Sequence, residues 1–375
     1  MTEPLPPRAA LLMCFFEVLN QTDACYCVMN NYEDLPRIIP SDVDIAINPA
    51  FFAKLDQFIA AFAAKNAVSV VQKIWHGNRK CAYILATGTP RNRAFLQLDF
   101  FVEFSIKTCP NLIVSADLLA ECRPYGLFFI PRPDVERVFT VMRRLFKDDW
   151  SARQVARVQE LSRRIIGEPW LPKRFGWLQQ SLDQANAGDV TGLAAKRAAD
   201  WARLKKSATS GLSLGAKLRN LAWQSRRGLA RLRDETGNLS IVIGTIEGEA
   251  EALGALEMVF HRRLIIDETW LEKHRGNLRL VARIKLLKQR KGLLLVRLGE
   301  KTPKTERLMA RLHRLGMVDQ VLLGAAASTA QKAKWAAVRA PDGPAMIEAI
   351  LATQIAKTKT ALSRRGTQTS RRENG

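Results

Sequence analysis

Residues 41–47 of the chain read SDVDIAI, and this stretch is the strongest indication of the fold of the first part of the chain. Asp42 and Asp44 alternate with apolar residues, and alternate side chains of a β-strand project from the same face. Two like charges at that spacing repel each other unless a cation lies between them. A hard divalent metal such as Mg²⁺ takes oxygen ligands and bridges substrate phosphates. The stretch therefore predicts a strand that carries part of a metal site.

A third carboxylate occurs in the same kind of context at residues 96–101, LQLDFF. Asp99 is a single acidic residue within a strand-like apolar run. Three carboxylates on strands can hold one or two metal ions, which stabilise the attacking and leaving oxygens of nucleotidyl transfer. We therefore predict that Asp42, Asp44 and Asp99 are metal ligands and that Asp99 also helps to activate the nucleophile. The alternative is a protein of the same fold whose site has decayed.

The run YCVMNNYEDLP, at residues 26–36, precedes the first acidic motif. With both motifs, residues 25–101 resemble the polymerase-beta-type nucleotidyltransferases, in particular a subgroup associated with bacterial surface-polysaccharide clusters. The resemblance implies a strand, a phosphate-contacting turn, an Asp-x-Asp strand and a later strand with one more Asp. It also implies Mg²⁺ or Mn²⁺ as the cofactor and a nucleoside triphosphate as a substrate.

The turn of this segment departs from the family pattern. Proteins of the superfamily usually have Gly-Gly or Gly-Ser there, whereas this chain has Asn30 and Asn31. Asn adopts left-handed backbone more readily than most residues, and its side-chain amide can donate to a phosphate. We therefore expect Asn30, Asn31 and Ser41 to bind the nucleotide.

The second half of the chain alternates continuous apolar runs with helical stretches. The runs are LSIVIG at 239–244, GLLLV at 292–296 and DQVLL at 319–323. Strands that are apolar on both faces and alternate with helices are typical of a parallel sheet covered on both sides. The sequence therefore predicts a second α/β module that begins near residue 238.

This module resembles, more loosely, the thymidylate-kinase branch of the P-loop kinases. A P-loop has the form Gly-x4-Gly-Lys-Ser/Thr, because backbone amides cradle the phosphates, Lys neutralises them and the hydroxyl binds Mg²⁺. Aligned on Gly244, this chain has Glu249, Ala250 and Glu251 at the last three of those positions, and Glu247 adds a further carboxylate. Because carboxylates repel phosphates, we expect a pseudo-kinase with a P-loop-like fold and no kinase activity.

The charge of the chain is divided unequally between its two parts. Residues 1–150 contain 16 basic and 16 acidic residues, so the whole net charge of +22 is carried by residues 151–375. A surface of that charge attracts polyanions. We expect residues 151–375 to bind an acidic glycan, an anionic lipid or nucleic acid. The alternative is that these basic side chains only solvate helix faces.

Four segments follow from these patterns, and together they predict an α/β protein. Residues 1–149 form the nucleotidyltransferase-like domain with a mixed sheet, and residues 150–236 form a basic helical region. Residues 237–356 form the degenerate P-loop kinase-like domain with a parallel sheet. Residues 357–375 are rich in basic and small polar residues, which predicts a disordered tail.

Two functions of different classes are consistent with the sequence. The first is metal-dependent nucleotidyl transfer from a nucleoside triphosphate to a hydroxyl or phosphate acceptor, in exopolysaccharide or other surface-glycan biosynthesis. The second is a non-catalytic scaffold or regulator of polysaccharide assembly. No apolar run reaches the roughly 18 residues of a membrane-spanning helix, and no export signal is indicated. We therefore expect a cytoplasmic protein, with peripheral attachment to the inner membrane surface as a further option.

Overall fold

A computed structural model gives the fold of most of the chain. The residues that it describes are 5–77, 79–89, 92–106, 109–210, 237–260, 262–267, 292–298, 316–325 and 337–373, with shorter pieces within 212–225 and 307–314. Among these residues, no helix is both long and apolar enough to cross a membrane.

The described residues form an α/β protein, as predicted. The α-helices include α1 (Pro7–Leu19), α2 (Pro49–Lys65), α3 (Ser115–Leu119), α4 (Pro133–Lys147), α5 (Ala152–Arg163), α6 (Gln179–Asn186), α7 (Val190–Thr209), α8 (Glu249–Ala255) and α9 (Gly343–Glu373). The 3₁₀ helices include Lys173–Leu178 and Leu256–Met258.

The strands are short and fall into two main sheets and two hairpins. They include β1 (Tyr26–Val28), β2 (Val43–Ile47), β3 (Ser69–Gly77), β4 (Lys80–Thr87), β5 (Ala94–Phe101), β6 (Phe104–Ile106), β7 (Cys109–Ile113), β8 (Arg123–Tyr125), β9 (Phe128–Ile130), β10 (Asn238–Ile243), β11 (Arg262–Ile266), β12 (Gly292–Leu298), β13 (Gln320–Leu323) and β14 (Val338–Arg339).

Proline marks the start of three helices near the first sheet. Helices α1, α2 and α4 begin at Pro7, Pro49 and Pro133. Proline suits the first helical turn because its backbone angle φ is already helical and its missing N–H would have no partner within the helix. The three prolines therefore account for where these helices begin.

The first main sheet has five strands in the order β1-β2-β5-β4-β3. Strand β2 pairs antiparallel with β1 and parallel with β5, so the sheet is mixed, as predicted. In the parallel pair, Asp44 of β2 lies opposite Asp99 of β5. All five residues of β2 are buried, which agrees with its nearly continuous apolar sequence.

The chain divides into two compact units that are each built from separate segments. The first contains Met1–Leu55, His76–Cys81 and Leu98–Arg226. The second contains Asp56–Trp75, Ala82–Gln97 and Arg227–Gly375. Residues 56–75 and 82–97 were predicted to belong to the nucleotidyltransferase-like domain. They lie instead in the same compact unit as residues 237–356.

The core of the first unit includes residues from four consecutive helices. Val138 of α4, Val158 of α5, Leu182 of α6 and Leu204 of α7 are fully buried in one cluster. Residues 150–210, predicted to be helical, therefore pack their apolar positions into the core beneath β1 and the hairpin of β6 and β7. This packing fixes the position of α4, which carries part of the site described below.

The second main sheet is entirely parallel, in the order β11-β12-β10-β13-β14. Along β10, Ile241 and Ile243 belong to one buried cluster and Val242 to another. This alternation places apolar side chains on both faces of the strand, as expected for a sheet that is covered on each side. The predicted parallel sheet is therefore confirmed.

Strands β3 and β4 contribute to the core of this second unit. Val71, Ile74 and Ile84 share a buried cluster with Val242 of β10 and residues of α8 and α9. The hydroxyl of Thr358 in α9 also donates to the carbonyl of Val71 at 2.8 Å. Residues 237–356 therefore form only part of the compact unit to which they belong.

The C-terminal helix α9 is longer than the sequence predicts. Its backbone is helical from Gly343 to Glu373, so residues 357–373, which we expect to be disordered, are helical in the structure. Thr358 and Leu362 are buried, which gives the extension packing contacts beyond residue 356. The physical reason is that tertiary packing of Thr358 and Leu362 stabilises helix beyond residue 356, although the local composition does not favour it.

Candidate metal centre

The three predicted carboxylates converge on one point in the first unit. Asp44 lies in β2, Asp99 is its register partner in β5, and Asp42 immediately precedes β2. One carboxylate oxygen from each lies within 4.8 Å of the others. Among the described residues, no other group of three or more His, Cys, Asp or Glu side chains has this geometry. The predicted convergence is therefore confirmed, although Asp42 precedes the strand instead of belonging to it.

The cluster is largely shielded from solvent. Asp44 is 7% exposed and Asp99 is 4% exposed, whereas Asp42 is half-buried. The hydroxyl of Ser41 donates to Asp42 at 2.8 Å and so helps to orient it. Ser41, predicted to bind the nucleotide, therefore contacts a carboxylate of the cluster. Burial of this much negative charge requires nearby positive charge.

Three basic side chains surround the carboxylates, and none of them was predicted from the sequence. Arg143 of α4 donates from Nη1 to Asp44 at 2.5 Å. The ammonium of Lys80 lies 3.9 Å from Asp44 and 3.8 Å from Asp99, and Nε2 of His76 lies 3.7 Å from Asp99. Lys80 and His76 flank the turn between β3 and β4, and no local motif connects that turn with residues 41–47.

These contacts keep Asp44 ionised. Burial by itself would raise the pKa of Asp44, but Arg143 and Lys80 together outweigh burial and hold the pKa below its ordinary value. In turn, the Asp44 carboxylate raises the pKa of Arg143 above its ordinary value, although burial by itself would lower it. Asp44 is therefore a carboxylate at neutral pH and has the charge that a metal ligand needs.

The donor set fits a hard divalent metal. Mg²⁺ takes oxygen ligands at about 2.1 Å, so two ligands on opposite sides of the ion are about 4.2 Å apart. The observed limit of 4.8 Å exceeds that distance by less than one ångström, which small side-chain rotations can close. Asp42, Asp44 and Asp99 could therefore hold one ion. Lys80 supplies a positive charge beside the same two buried carboxylates and would have to move aside.

The predicted nucleotide-binding turn follows β1 in the expected conformation. Asn30 and Asn31 both have positive φ angles, 44° and 52°, which is the left-handed region that Asn tolerates. Both line a cavity of about 260 Å³ that Arg143 also lines. The turn and the carboxylate cluster are therefore connected through Arg143, which lines the cavity and binds Asp44.

A buried polar network anchors the loop that follows the turn. The hydroxyl of Tyr32 donates to Glu136 at 2.7 Å, and Arg157 donates to Glu136 at 2.6 Å and forms an ion pair with Glu33. Burial raises the pKa of Glu136 although Arg157 opposes it. Tyr32 and Glu136 are fully buried, so this network fixes the loop to α4 and α5. These residues position the turn and lie outside the predicted ligand set.

The loop predicted to be a degenerate P-loop connects β10 to α8, as expected. Glu249 receives two hydrogen bonds from Arg297 of β12, at 2.7 and 3.1 Å. The amide of Glu247 donates to the carbonyl of Pro341, and the carbonyl of Glu247 accepts from Gly343 at 2.7 Å. At least one amide that a phosphate cage would need is therefore already used within the protein.

Comparisons with known proteins do not assign the chain to a family. No protein-family model matches it, and no curated protein matches it. The crystal structure of JHP933 from Helicobacter pylori aligns with 61% of this chain and with 100% of its own chain, at 10% identity and a TM-score of 0.26. A similarity at that level carries no information about the function of this protein.

Proposed function

We propose that the protein is a Mg²⁺- or Mn²⁺-dependent nucleotidyltransferase that uses a nucleoside triphosphate and a hydroxyl or phosphate acceptor. The observation that carries the proposal is the approach of three carboxylates within 4.8 Å on and beside paired strands. The link to surface-glycan biosynthesis rests only on the resemblance of residues 25–101 to that subgroup of nucleotidyltransferases.

Each residue of the cluster has a separate role in this proposal. Asp42, Asp44 and Asp99 would hold the ion, which neutralises phosphate charge and polarises the reacting phosphorus centre. Asp99 would also accept a hydrogen bond from the acceptor hydroxyl and so help to activate it. Arg143 keeps Asp44 ionised and oriented, while Asn30 and Asn31 would donate to the phosphate tail of the nucleotide.

The second candidate is a non-catalytic scaffold or regulator, and one observation favours it. The ammonium of Lys80 lies within 3.9 Å of both Asp44 and Asp99, so it already reduces the repulsion that a metal would otherwise relieve. In a decayed site, Lys80 would replace the metal permanently. In an active site, Lys80 would compete with the metal and move towards substrate phosphate once the metal binds.

Calorimetric titration of the full chain with Mn²⁺ tests the metal site. We expect saturable binding by the wild type and a loss of at least about 100-fold in affinity for Asp99→Asn, because a direct ligand matters at least as much as its supporting groups. Asp23→Asn is the matched control, because Asp23 is exposed and 3.8 Å from the exposed Lys54. No binding by the wild type, or equal loss in both variants, would contradict the metal site.

Lys80→Gln separates the two candidate functions. If Lys80 competes with a metal, this variant binds Mn²⁺ more tightly than the wild type, by about three- to tenfold. If Lys80 replaces the metal, the wild type does not bind Mn²⁺, and the variant is less stable in the absence of metal, because the repulsion between Asp44 and Asp99 is then no longer reduced. Release of pyrophosphate from nucleoside triphosphates in Mg²⁺, lost in Asp99→Asn, would establish the catalytic function.

The proposed polyanionic partner of residues 151–375 rests on their charge of +22. Binding of an acidic glycan, an anionic lipid surface or nucleic acid through this charge would release counterions and weaken steeply as salt increases. Co-sedimentation of the full chain with anionic and with neutral vesicles, and parallel titrations with nucleic acid and acidic glycan, would identify the partner. Salt-insensitive binding would leave the basic side chains with a solvating role only.

A further inference from the structure

A cavity in the first unit lies beside the carboxylate cluster but has its own set of polar groups. Its volume is about 260 Å³, and residues of the turn after β1, of α4 and of α5 line it. Binding pockets for whole small molecules are usually about 300–1,000 Å³. The cavity is therefore suited to one polar group of a larger ligand, such as a phosphate or diphosphate.

Three residues that line the cavity each carry a buried donor atom with no hydrogen-bond partner among the described residues. These atoms are Nδ2 of Asn30, Oγ1 of Thr140 and Nε of Arg144. The side chains of Thr140 and Arg144 are only 4% and 8% exposed. A buried donor without a partner costs about 1–3 kcal/mol, so such groups in native proteins usually serve a ligand or an ordered water. Because all three residues line one cavity, small side-chain rotations could direct these donors to a ligand with several acceptor oxygens.

The charges around the cavity also favour an anion. Four guanidinium groups line it, and three of them have acidic partners: Arg143 pairs with Asp44, Arg144 with Asp149, and Arg157 with a set of glutamates. Arg153 is exposed and has no ion pair or hydrogen bond among the described residues. Three carboxylates also line the cavity. Glu33 and Glu160 are both bound to Arg157, which reduces their repulsion of an incoming anion, and Asp34 is exposed, where solvent screens its charge.

We infer that this cavity is a phosphate-binding site in which Thr140, Arg144 and Arg153 contact the phosphate oxygens. Arginine suits this role because its planar donors match phosphate geometry, and the hydroxyl of Thr140 adds a donor from the cavity wall. The phosphate comes either from the tail of a nucleotide or from a phosphorylated acceptor. The inference holds for both functions proposed above, because it does not require the carboxylates to bind a metal.

Titration of the full chain with inorganic pyrophosphate in the presence of EDTA tests the site without a metal. We expect saturable binding that weakens as salt increases, and a three- to tenfold loss of affinity, on the order of one hydrogen bond, for both Thr140→Val and Arg153→Gln. Thr140→Val preserves the buried volume, and Arg153 is on the surface, so both variants should keep the wild-type melting temperature. Absence of saturable binding by the wild type would overturn the inference.

Arg163→Gln is the matched control, because Arg163 is an exposed arginine of the same helix, α5, and does not line the cavity. Its affinity for pyrophosphate should equal that of the wild type, and a loss equal to that of Arg153→Gln would refute the site. Competition then identifies the source of the phosphate. Displacement by a nucleoside triphosphate indicates a nucleotide tail, and displacement by a sugar phosphate alone indicates an acceptor. Displacement by neither would also overturn the inference.

Discussion

The acidic residues around β2 and those after β10 differ in what their neighbours allow them to do. Asp44 and Asp99 are register partners on paired strands, and their oxygens meet those of Asp42. Glu247 and Glu251, by contrast, are exposed on the loop and helix that follow β10, and Glu249 is held by Arg297. Both segments are rich in carboxylates, but the first concentrates them at one point.

This difference shows that strand register matters more for a metal site than the number of acidic residues. Pairing of two strands fixes the distance between facing side chains, whereas residues on a loop and a first helical turn point in different directions. The backbone of the loop after β10 is also engaged, because the amide and carbonyl of Glu247 form hydrogen bonds with Pro341 and Gly343.

Asp44→Asn should destabilise the first unit by about 3 kcal/mol, because it leaves Arg143 without its buried charge partner. Chemical denaturation in urea measures the free energy of unfolding. In the double variant with Arg143→Gln, a substantial part of that loss should be recovered, since the unpaired charge is then also removed. Additive losses in the double-mutant cycle would show that Asp44 and Arg143 are not coupled. The carboxylates around β2 would then not differ from those after β10 in how their neighbours stabilise them.

Gly324→Ala should destabilise the second unit by about 2 kcal/mol through overpacking. A Cβ at Gly324 would lie 2.1 Å from the carbonyl oxygen of Thr245, which is part of the backbone and has little freedom to move. The melting temperature of the full chain reports the effect. Gly254→Ala is the control, because a Cβ there meets nothing within 4 Å. Equal melting temperatures for the two variants would mean that the loop after β10 is not tightly packed.

Asp134 is a buried carboxylate outside the cluster, and it shows how much an ionised buried carboxylate contributes to stability. Burial would raise its pKa, but Arg132 and the amides of Trp170 and Val135 hold the pKa below its ordinary value. A lowered folded-state pKa stabilises the protein above the unfolded pKa of about 3.9, and this contribution is lost as the pH falls through the folded-state value.

The unfolding free energy of the wild type should therefore exceed that of Asp134→Asn by about 1 kcal/mol, with the same difference at pH 5 and pH 7. Below about pH 4 the difference should shrink, because Asp134 becomes protonated and resembles the variant. Urea denaturation at several pH values measures it. A difference that grows on acidification would contradict the direction of the pKa shift.

Glu249→Gln should have the smallest effect, about 0.5 kcal/mol or less, because its partner Arg297 is about half exposed. It should also create no nucleotide binding, since the amide of Glu247 stays bound to Pro341. ATP titrations of the full chain in an Asp99→Asn background separate this loop from the carboxylate cluster. Saturable binding that depends on Glu249 would show that the loop retains a nucleotide site.

Several features of the fold were predictable because they depend on local sequence periodicity. Alternation of Asp with apolar residues predicts the strand at 43–47, and continuous apolar runs predict the parallel sheet around β10. The left-handed turn follows from the tolerance of Asn30 and Asn31 for positive φ. The length of α9 was not predicted, because the packing of Thr358 and Leu362 depends on segments far away in the sequence.

Local sequence patterns therefore predict the strands that carry Asp44 and Asp99, the turn at Asn30 and Asn31, and the unequal distribution of basic charge. Three contacts depend instead on how distant segments pack: Asp44 pairs with Asp99, Arg143 binds Asp44 from 99 residues away, and Lys80 lies within 3.9 Å of both carboxylates. The orphaned donors of the cavity belong to the same class. The physical reason is that side-chain periodicity is a local property of the backbone, whereas charge pairing and burial depend on which distant segments pack together.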